Sequence, residues 1–352
     1  MAELVVAVPP LLRADQAEQR YNEAVQAAVE KCAADTAGRT CFICMDGAAA
    51  EGLVRGCACR GGAGYAHLSC LARGAQVAVE RSADGLGFER WHKCGLCEQR
   101  YHGDVKCALG WACWKTYVGR PETDEVRVHA MAFLGNGLSA AKYHDEALSV
   151  KEALLSTYRR VGAPEGHMLG QMGEIATSYH MLGRFETSNR LYRDVYSGRL
   201  RLDGEGHEET LLAATNYATA LLALGRYEEG KSLLRKTIPA SQRTLGESNE
   251  ITLGLRCNYA LALYEDPDAT LDDLSEAVTT LEDARRIARR VFGGTHPHTT
   301  GIDGALQNAR AALRALSSKA TEDTCSRLRE EIAQLKAENA ALRERRTRRR
   351  LG

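Results

Sequence analysis

Proline is scarce in this chain, with 7 in 352 residues, and aromatic residues make up only 6%. A β-sandwich draws on both, so that class is disfavoured, and the abundant Ala and Leu favour helices. Net charge is missing as well: Lys+Arg and Asp+Glu both number 46. That balance argues against a uniformly basic nucleic-acid binder and against an acidic tail protein, leaving only local patches. No apolar run reaches the ~18 residues of a membrane span. The opening MAELVVAVPP has a short apolar patch and no basic leader, so it does not read as a signal peptide. A length of 352 residues suggests roughly two to three domains.

Cysteine is what the chain has in excess. There are 12, and seven lie between Cys41 and Cys97. A secreted disulfide framework is one explanation. The lack of a leader and the long helical remainder favour the other, a metal cluster.

The pattern divides the chain into four segments. Residues 1–40 carry one expected helix, about Ala14 to Ala34. Leu12, Tyr21, Val25, Ala28, Val29 and Cys32 form its apolar stripe, and Gly38 ends it. Residues 41–103 hold the cysteine cluster. Residues 104–317 are helical and repetitive. Residues 321–352 form a heptad segment with a basic tip.

The cluster runs Cys41-x2-Cys44, Cys57-x-Cys59, His67-x2-Cys70, Cys94-x2-Cys97. Two residues between paired ligands let a tight knuckle aim both side chains at one tetrahedral ion. Eight ligands make two zinc sites. Four ligands per ion leave no open position for water, so the expected role is folding rather than hydrolysis. A segment this small needs such staples. Cys32, Cys107, Cys113, Cys257 and Cys325 remain as ordinary thiols. Cys107, Trp111 and Trp114 fall at helical spacing, as a packing face does.

In C4HC3 order these ligands resemble the RING-CH (RING-variant) family. A PHD finger shares the order, but usually has a shorter gap before its His and a Trp two residues before the seventh ligand. Here seven residues precede His67, and Trp91 stands three before Cys94. The resemblance implies a cross-brace: Cys41, Cys44, His67 and Cys70 on one zinc, Cys57, Cys59, Cys94 and Cys97 on the other. It also implies a ubiquitin ligase that recruits a charged ubiquitin-conjugating enzyme. No covalent intermediate forms in that mechanism, so no catalytic nucleophile is expected. Ile43 matches the family's enzyme contact in the first knuckle. Arg100 is the nearest candidate for the basic residue that steadies ubiquitin after the last ligand, although Glu98 stands closer. The family's Trp four residues after the sixth ligand is Gly74 here, and its Pro after the seventh is Gly95. These departures favour a rival reading, a zinc-stabilised binding module without ligase activity.

The middle of the chain repeats every 42 residues. Leu182-Gly183-Arg184-Phe185 returns as Leu224-Gly225-Arg226-Tyr227. Tyr143, Phe185 and Tyr227 share the period, as do Ala176, Ala218 and Ala260, and Gly162, Gly204 and Gly246. Each unit reads as two helices around the Leu-Gly-Arg-aromatic turn. The small Ala allows close approach, and the aromatic is expected to plug the gap. One such pair cannot bury its own apolar face, so neighbours must stack. In the third unit the spacing from Thr252 to Thr299 is 47, and Glu265-Asp266-Pro267-Asp268 reads as a lengthened turn.

These units resemble tetratricopeptide repeats of the kinesin-light-chain form, over roughly 125–317. That resemblance implies an α-solenoid with an extended peptide or protein substrate along its groove. Asn216 and Asn258 occupy the column that faces the groove, and Glu174 stands there one unit earlier. A side-chain amide both donates and accepts, which suits a peptide backbone. The alternative is that these Asn residues tie adjacent helices together. No Ser-His-Asp, P-loop or dinucleotide fingerprint occurs in this region, so no separate enzyme is expected.

At the C-terminus Leu328, Ile332, Leu335, Asn339 and Leu342 step by 4, 3, 4, 3. Ile332 and Asn339 take heptad position a, and the three Leu take d. Leu at d with a single Asn at a favours a parallel two-stranded coil. Glu331 can then face Lys336 of a partner, and Glu338 can face Arg343. A homodimer through 328–342 is expected; the alternative is a single helix folded back as a cap. The arginines from Arg343 to Arg350 suit a helix C-terminus, a nuclear import signal or an acidic partner. In bZIP factors the basic region precedes the zipper. Here it follows, so no specific nucleic acid is expected.

The expectation is a mainly α protein: a small RING-like zinc domain, a repeat solenoid and a C-terminal coiled coil, with two zinc ions and no membrane span. It reads as a cytoplasmic ubiquitin ligase, or a nuclear one through its basic tip. A non-catalytic interaction scaffold is the rival.

Overall fold

The computed structural model describes residues 12–47, 51–82, 86–294 and 296–351, and side chains as far as 341 in its last helix. The opening residues 1–11, Thr295, and the side chains of Leu342 and the arginine tip lie outside that description. The chain divides into two compact units, Met1–Leu202 and Asp203–Gly352. Among the described residues, β structure is limited to three isolated bridges. No described helix is long and apolar enough to cross a membrane.

The first unit starts with α1 (Ala14–Thr36). Its apolar stripe has too little area to stand alone. It lies on α4 (Gly103–Tyr117), a helix buried on every side by Val105, Leu109, Trp111, Cys113 and Trp114. The Trp114 indole N–H donates to the Leu12 carbonyl at 3.3 Å. Lys31 and Asp104 close the rim at 2.7 Å. Between α1 and α4 come the zinc segment, with α2 (Leu68–Arg81), and a short α3 (Glu89–His92). One hydrophobic core unites these pieces. Leu12 just before α1, Ala28 from α1, Leu68 and Trp91 from the zinc segment, and Phe133 and Leu154 further on all belong to it.

Helical hairpins follow: α5 (Glu125–Ala140) with α6 (His144–Val161), then α7 (Glu165–Met181) with α8 (Phe185–Asp203). The second unit continues with α9 (Glu208–Ala223) and α10 (Tyr227–Thr244), then α11 (Glu250–Tyr264) and α12 (Leu271–Phe292), and ends in α13 (Pro297–Leu351). The lengthened turn falls where the 47-residue spacing puts it, between α11 and α12. Asp266 anchors it by accepting from buried Lys231 Nζ at 2.8 Å.

The small column behaves as expected: Ala176, Ala218 and Ala260 are all fully buried. The aromatic column does not. Tyr143 and Phe185 are 47% and 37% exposed and Tyr227 is only half-buried, so the column is no buried plug; Phe185 stands edge-on to His180 at 5.1 Å. Each return helix begins at or beside that aromatic, and its first turn faces outward. The residue that meets the partner helix comes one turn later, where Ala147, Ser188 and Gly230 are buried. Ser188 Oγ donates to the Ala176 carbonyl at 2.8 Å, so small residue meets small residue.

The first repeat also slips by one residue. The turn N–H of Arg184 bonds Tyr179 O, and Arg226 bonds Leu221 O, but the equivalent in the first hairpin is Tyr143 to Leu138 O, each at 2.9 Å. Lys142, at φ 68°, therefore takes the left-handed place that Gly183 (72°) and Gly225 (70°) fill in later hairpins. A side chain there costs about 1–2 kcal/mol, partly offset by the entropy Gly loses on folding. Lys142→Gly is expected to stabilise the first unit by about 0.5–1 kcal/mol. Urea unfolding followed by tryptophan emission measures it, and a destabilised variant would contradict the strain.

Candidate metal centre

Two knuckles of the same design carry four of the eight ligands. In the first, Cys41 N–H donates to Asp46 O at 2.8 Å and Met45 N–H to Cys41 O at 2.9 Å. In the second, Cys94 N–H donates to Gln99 O and Glu98 N–H to Cys94 O, both at 3.0 Å. Met45 and Glu98 are each left-handed, at φ 66° and 56°. The third residue of each knuckle, Ile43 and Leu96, directs its N–H to the first sulfur at 3.4 Å. One-residue bridges, Thr40 with Gly47 and Lys93 with Arg100, close both loops.

The other four ligands come from the segment between. Val54 and Ala66 exchange backbone hydrogen bonds at 2.9 and 3.1 Å, pinching off the loop that holds Cys57 and Cys59. The chain then enters α2, with His67 at its N-cap and Cys70 in its first turn. Glu51 accepts from Ser69 N–H at 2.9 Å, satisfying a free donor of that helix end. His67 Nδ1 lies 3.4 Å from Cys44 Sγ, and its Nε2 donates to Gly47 O at 3.0 Å. The second bond orients the ring so that Nδ1 is the free ligand atom.

These side chains gather into two groups: Cys41, Cys44, His67 and Cys70, and Cys57, Cys59, Cys94 and Cys97. Ligand atoms within a group all lie within 4.8 Å of one another. The partition is the cross-brace that the family resemblance implies. A tetrahedral zinc with bonds of about 2.3 Å to sulfur has an S···S edge of about 3.8 Å. Cys59 Sγ and Cys94 Sγ are 3.8 Å apart. The donor set therefore fits zinc, and each group offers four ligands to one ion with no position left for a reactive water.

The thiols divide by environment. Burial pushes Cys41 up, but the backbone N–H groups of Cys44, His67 and Ile43 overcome it and leave the thiol at about 7. The Gln99 N–H likewise brings Cys97 to about 7. Burial, then neighbouring sulfurs, push Cys70 to about 12; burial also takes Cys59 to about 11, against the lowering pull of Cys57. Zinc must displace protons from these raised thiols, so loading weakens as pH falls.

Gly64 is where the second group is most constrained. It sits at φ 84°, and an added Cβ would lie 2.6 Å from Cys59 Cβ and 3.3 Å from Cys57 Sγ. Gly64→Ala is expected to lower zinc content from two ions per chain toward one. Gly62→Ala, where a Cβ meets nothing within 4 Å, should keep both. Metal analysis of the two purified variants makes the comparison; equal content would contradict the assignment.

The remaining expected residues are scattered over both units. Ile43 is 44% exposed. Arg100 is exposed beside the last knuckle. Met45 and Leu96, which motif reading passed over, are 72% and 52% exposed. The signal for Leu96 is its place in Cys94-Gly95-Leu96-Cys97, matching Ile43 in Cys41-Phe42-Ile43-Cys44. At Gly74 an added side chain would enter open space. Asn258 Nδ2 donates to Thr215 O at 3.1 Å and Thr219 Oγ1 at 3.0 Å, so its donor ties α11 to α9. Asn216 is half-buried on α9. Glu174 pairs with the buried Lys151 at 3.1 Å.

Fold and donor set together define a cross-braced zinc module joined to helical hairpin repeats. Comparison with known families agrees on both parts. Residues 41–97 match the RING-variant domain, and residues 210–250 match a tetratricopeptide repeat. The chain thus carries a RING-variant zinc domain followed by tetratricopeptide repeats. Similar solved structures include BtubC (BKLC) from P. vanneervenii, at 17% identity and TM-score 0.43, covering 57% of this chain and 84% of that one. Another is a Podosopora anserina kinesin-light-chain-type protein with nearly identical TPR-like repeats. It has 19% identity and TM-score 0.43, and covers 64% of this chain and 98% of that one. No curated protein matches the chain.

Proposed function

We propose that this chain is a RING-type ubiquitin ligase acting in the cytoplasm, or in the nucleus through its basic tip. The zinc domain (41–103) takes up a charged ubiquitin-conjugating enzyme, and the repeats (104–317) hold a protein or peptide substrate. One observation carries the reading: Ile43 and Leu96 stand exposed at equivalent positions of the two zinc knuckles. Large apolar side chains left in water beside rigid, closed metal sites are suited to docking a partner. The ligase needs no nucleophile of its own; its work is to hold the charged enzyme near an acceptor amine. In this reading Arg100 steadies the ubiquitin, and Asn216 is the groove amide offered to a peptide.

The rival reading, a non-catalytic scaffold, draws on Gly74 and Gly95. Both stand where the family often presents Trp and Pro, which thins the contact surface. Autoubiquitination of the full chain with a panel of conjugating enzymes separates the two. Ubiquitin chains that depend on bound zinc support the ligase. No transfer across the panel, with two zinc ions bound, leaves the scaffold.

A further inference from the structure

The second half of α13 packs against nothing among the described residues. Upstream, Ile302, Leu306 and Ala309 of the same helix are buried within the second unit. From 321 to 341 every residue is exposed. This segment is therefore not folded back as a cap. Along it Leu328, Ile332 and Leu335 are 48%, 51% and 58% exposed, in a row at 4, 3 spacing. Burying such side chains is favourable, and this chain alone leaves about half of their surface in water. The heptad extends one step further back than the leucines suggest. Cys325 lies seven residues before Ile332, at position a, and is exposed.

We propose that α13 pairs with α13 of a second copy, parallel and in register over 325–342, with the two Cys325 thiols facing each other across the seam. Three observations commit the occupant to a second copy in this orientation. The charges are self-complementary: Glu331 meets Lys336 of the mate. An antiparallel mate would set glutamate against glutamate instead. Asn339 at a finds its own amide opposite only when the helices are in register. The thiol geometry also closes. Helix axes about 8–10 Å apart, each with a Cα radius of about 2.3 Å, leave roughly 3.4–5.4 Å between facing Cα atoms. The upper half of that span falls inside the disulfide range of about 4.4–6.8 Å. The pair can therefore be oxidised: two thiols lose two protons and two electrons to an oxidant such as diamide, which becomes the hydrazine, and one S–S bond forms.

This inference is independent of the ligase reading. Sedimentation of the zinc-loaded full chain is expected to give twice the chain mass. Leu335→Glu, at an exposed position, should return it to the monomer with two zinc ions and tryptophan emission unchanged. Diamide should yield a dimer band on a non-reducing gel, absent in Cys325→Ser and reversed by dithiothreitol, with peptide mapping assigning Cys325 to Cys325. A monomeric wild-type chain overturns the proposal. So does a dimer that survives Leu335→Glu, or one in which Cys325 does not cross-link to its mate.

Discussion

Stripping both zinc ions from the full chain is expected to collapse the first unit while much of the second keeps its helices. A structural zinc site supplies about 10–16 kcal/mol of apparent binding energy. That equals or exceeds the whole stability of an ordinary domain, about 5–15 kcal/mol. In this chain the loss is not confined to the ligand loops. Cys57 and Cys94 belong to the same buried core as Trp91, Trp114, Phe133 and Leu154. The composition provides the probe. All 3 tryptophans, Trp91, Trp111 and Trp114, are buried in that core, and the repeats beyond have none. Chelation at neutral pH should shift tryptophan emission strongly to the red, with far-UV dichroism retaining the contribution of α9–α13. Cys94→Ser should reproduce the shift and bind at most one zinc firmly. Acidification should do the same, because protons reclaim the raised thiols of Cys59 and Cys70 first. Unchanged emission after complete zinc removal would mean that the core does not depend on the metal.

The second large effect concerns transfer. Ile43→Ala or Leu96→Ala is expected to cut autoubiquitination by roughly 30-fold or more, the size of an interface hot spot worth about 2 kcal/mol. Both side chains are exposed, so zinc content and tryptophan emission should stay as they are. The reverse experiment uses the open space at Gly74. Gly74→Trp restores the family's aromatic on α2, where nothing lies within 4 Å of an added Cβ. It is expected to raise transfer with the same conjugating enzyme. Transfer undiminished by either alanine would place the enzyme contact elsewhere.

Much of this architecture is written in local pattern. The ligand spacing marked the ligand pairs, because the two Cys-x2-Cys knuckles are short-range devices closed by their own backbone hydrogen bonds; which pairs share an ion was given only by the RING-variant resemblance. The 42-residue period located the hairpins, and the Ala column marked their tight contacts. Three features escaped for the same reason, that they depend on residues distant in sequence or on backbone state. Tyr143 and Phe185 carry a motif's look but stand largely exposed, since helix phase and not residue type decides which side is buried. The one-residue slip at Lys142 leaves no mark in composition. The union of α1, the zinc segment and α4–α6 in one core has no motif at all. It rests on contacts such as Trp114 to Leu12, 102 positions apart.

That shared core has a consequence for reach. Two modules joined by a floppy tether meet at an effective concentration diluted by every position the tether samples. Here no such tether lies between the zinc knuckles and α5–α6, because Leu68, Trp91, Phe133 and Leu154 pack as one body. Whatever docks on Ile43 and Leu96, and whatever is gripped by α5 and α6, would sit at a fixed separation. Such a device works as a gauge: acceptor amines would be chosen by where they fall along it, and shortening or lengthening a partner would matter more than tightening its grip.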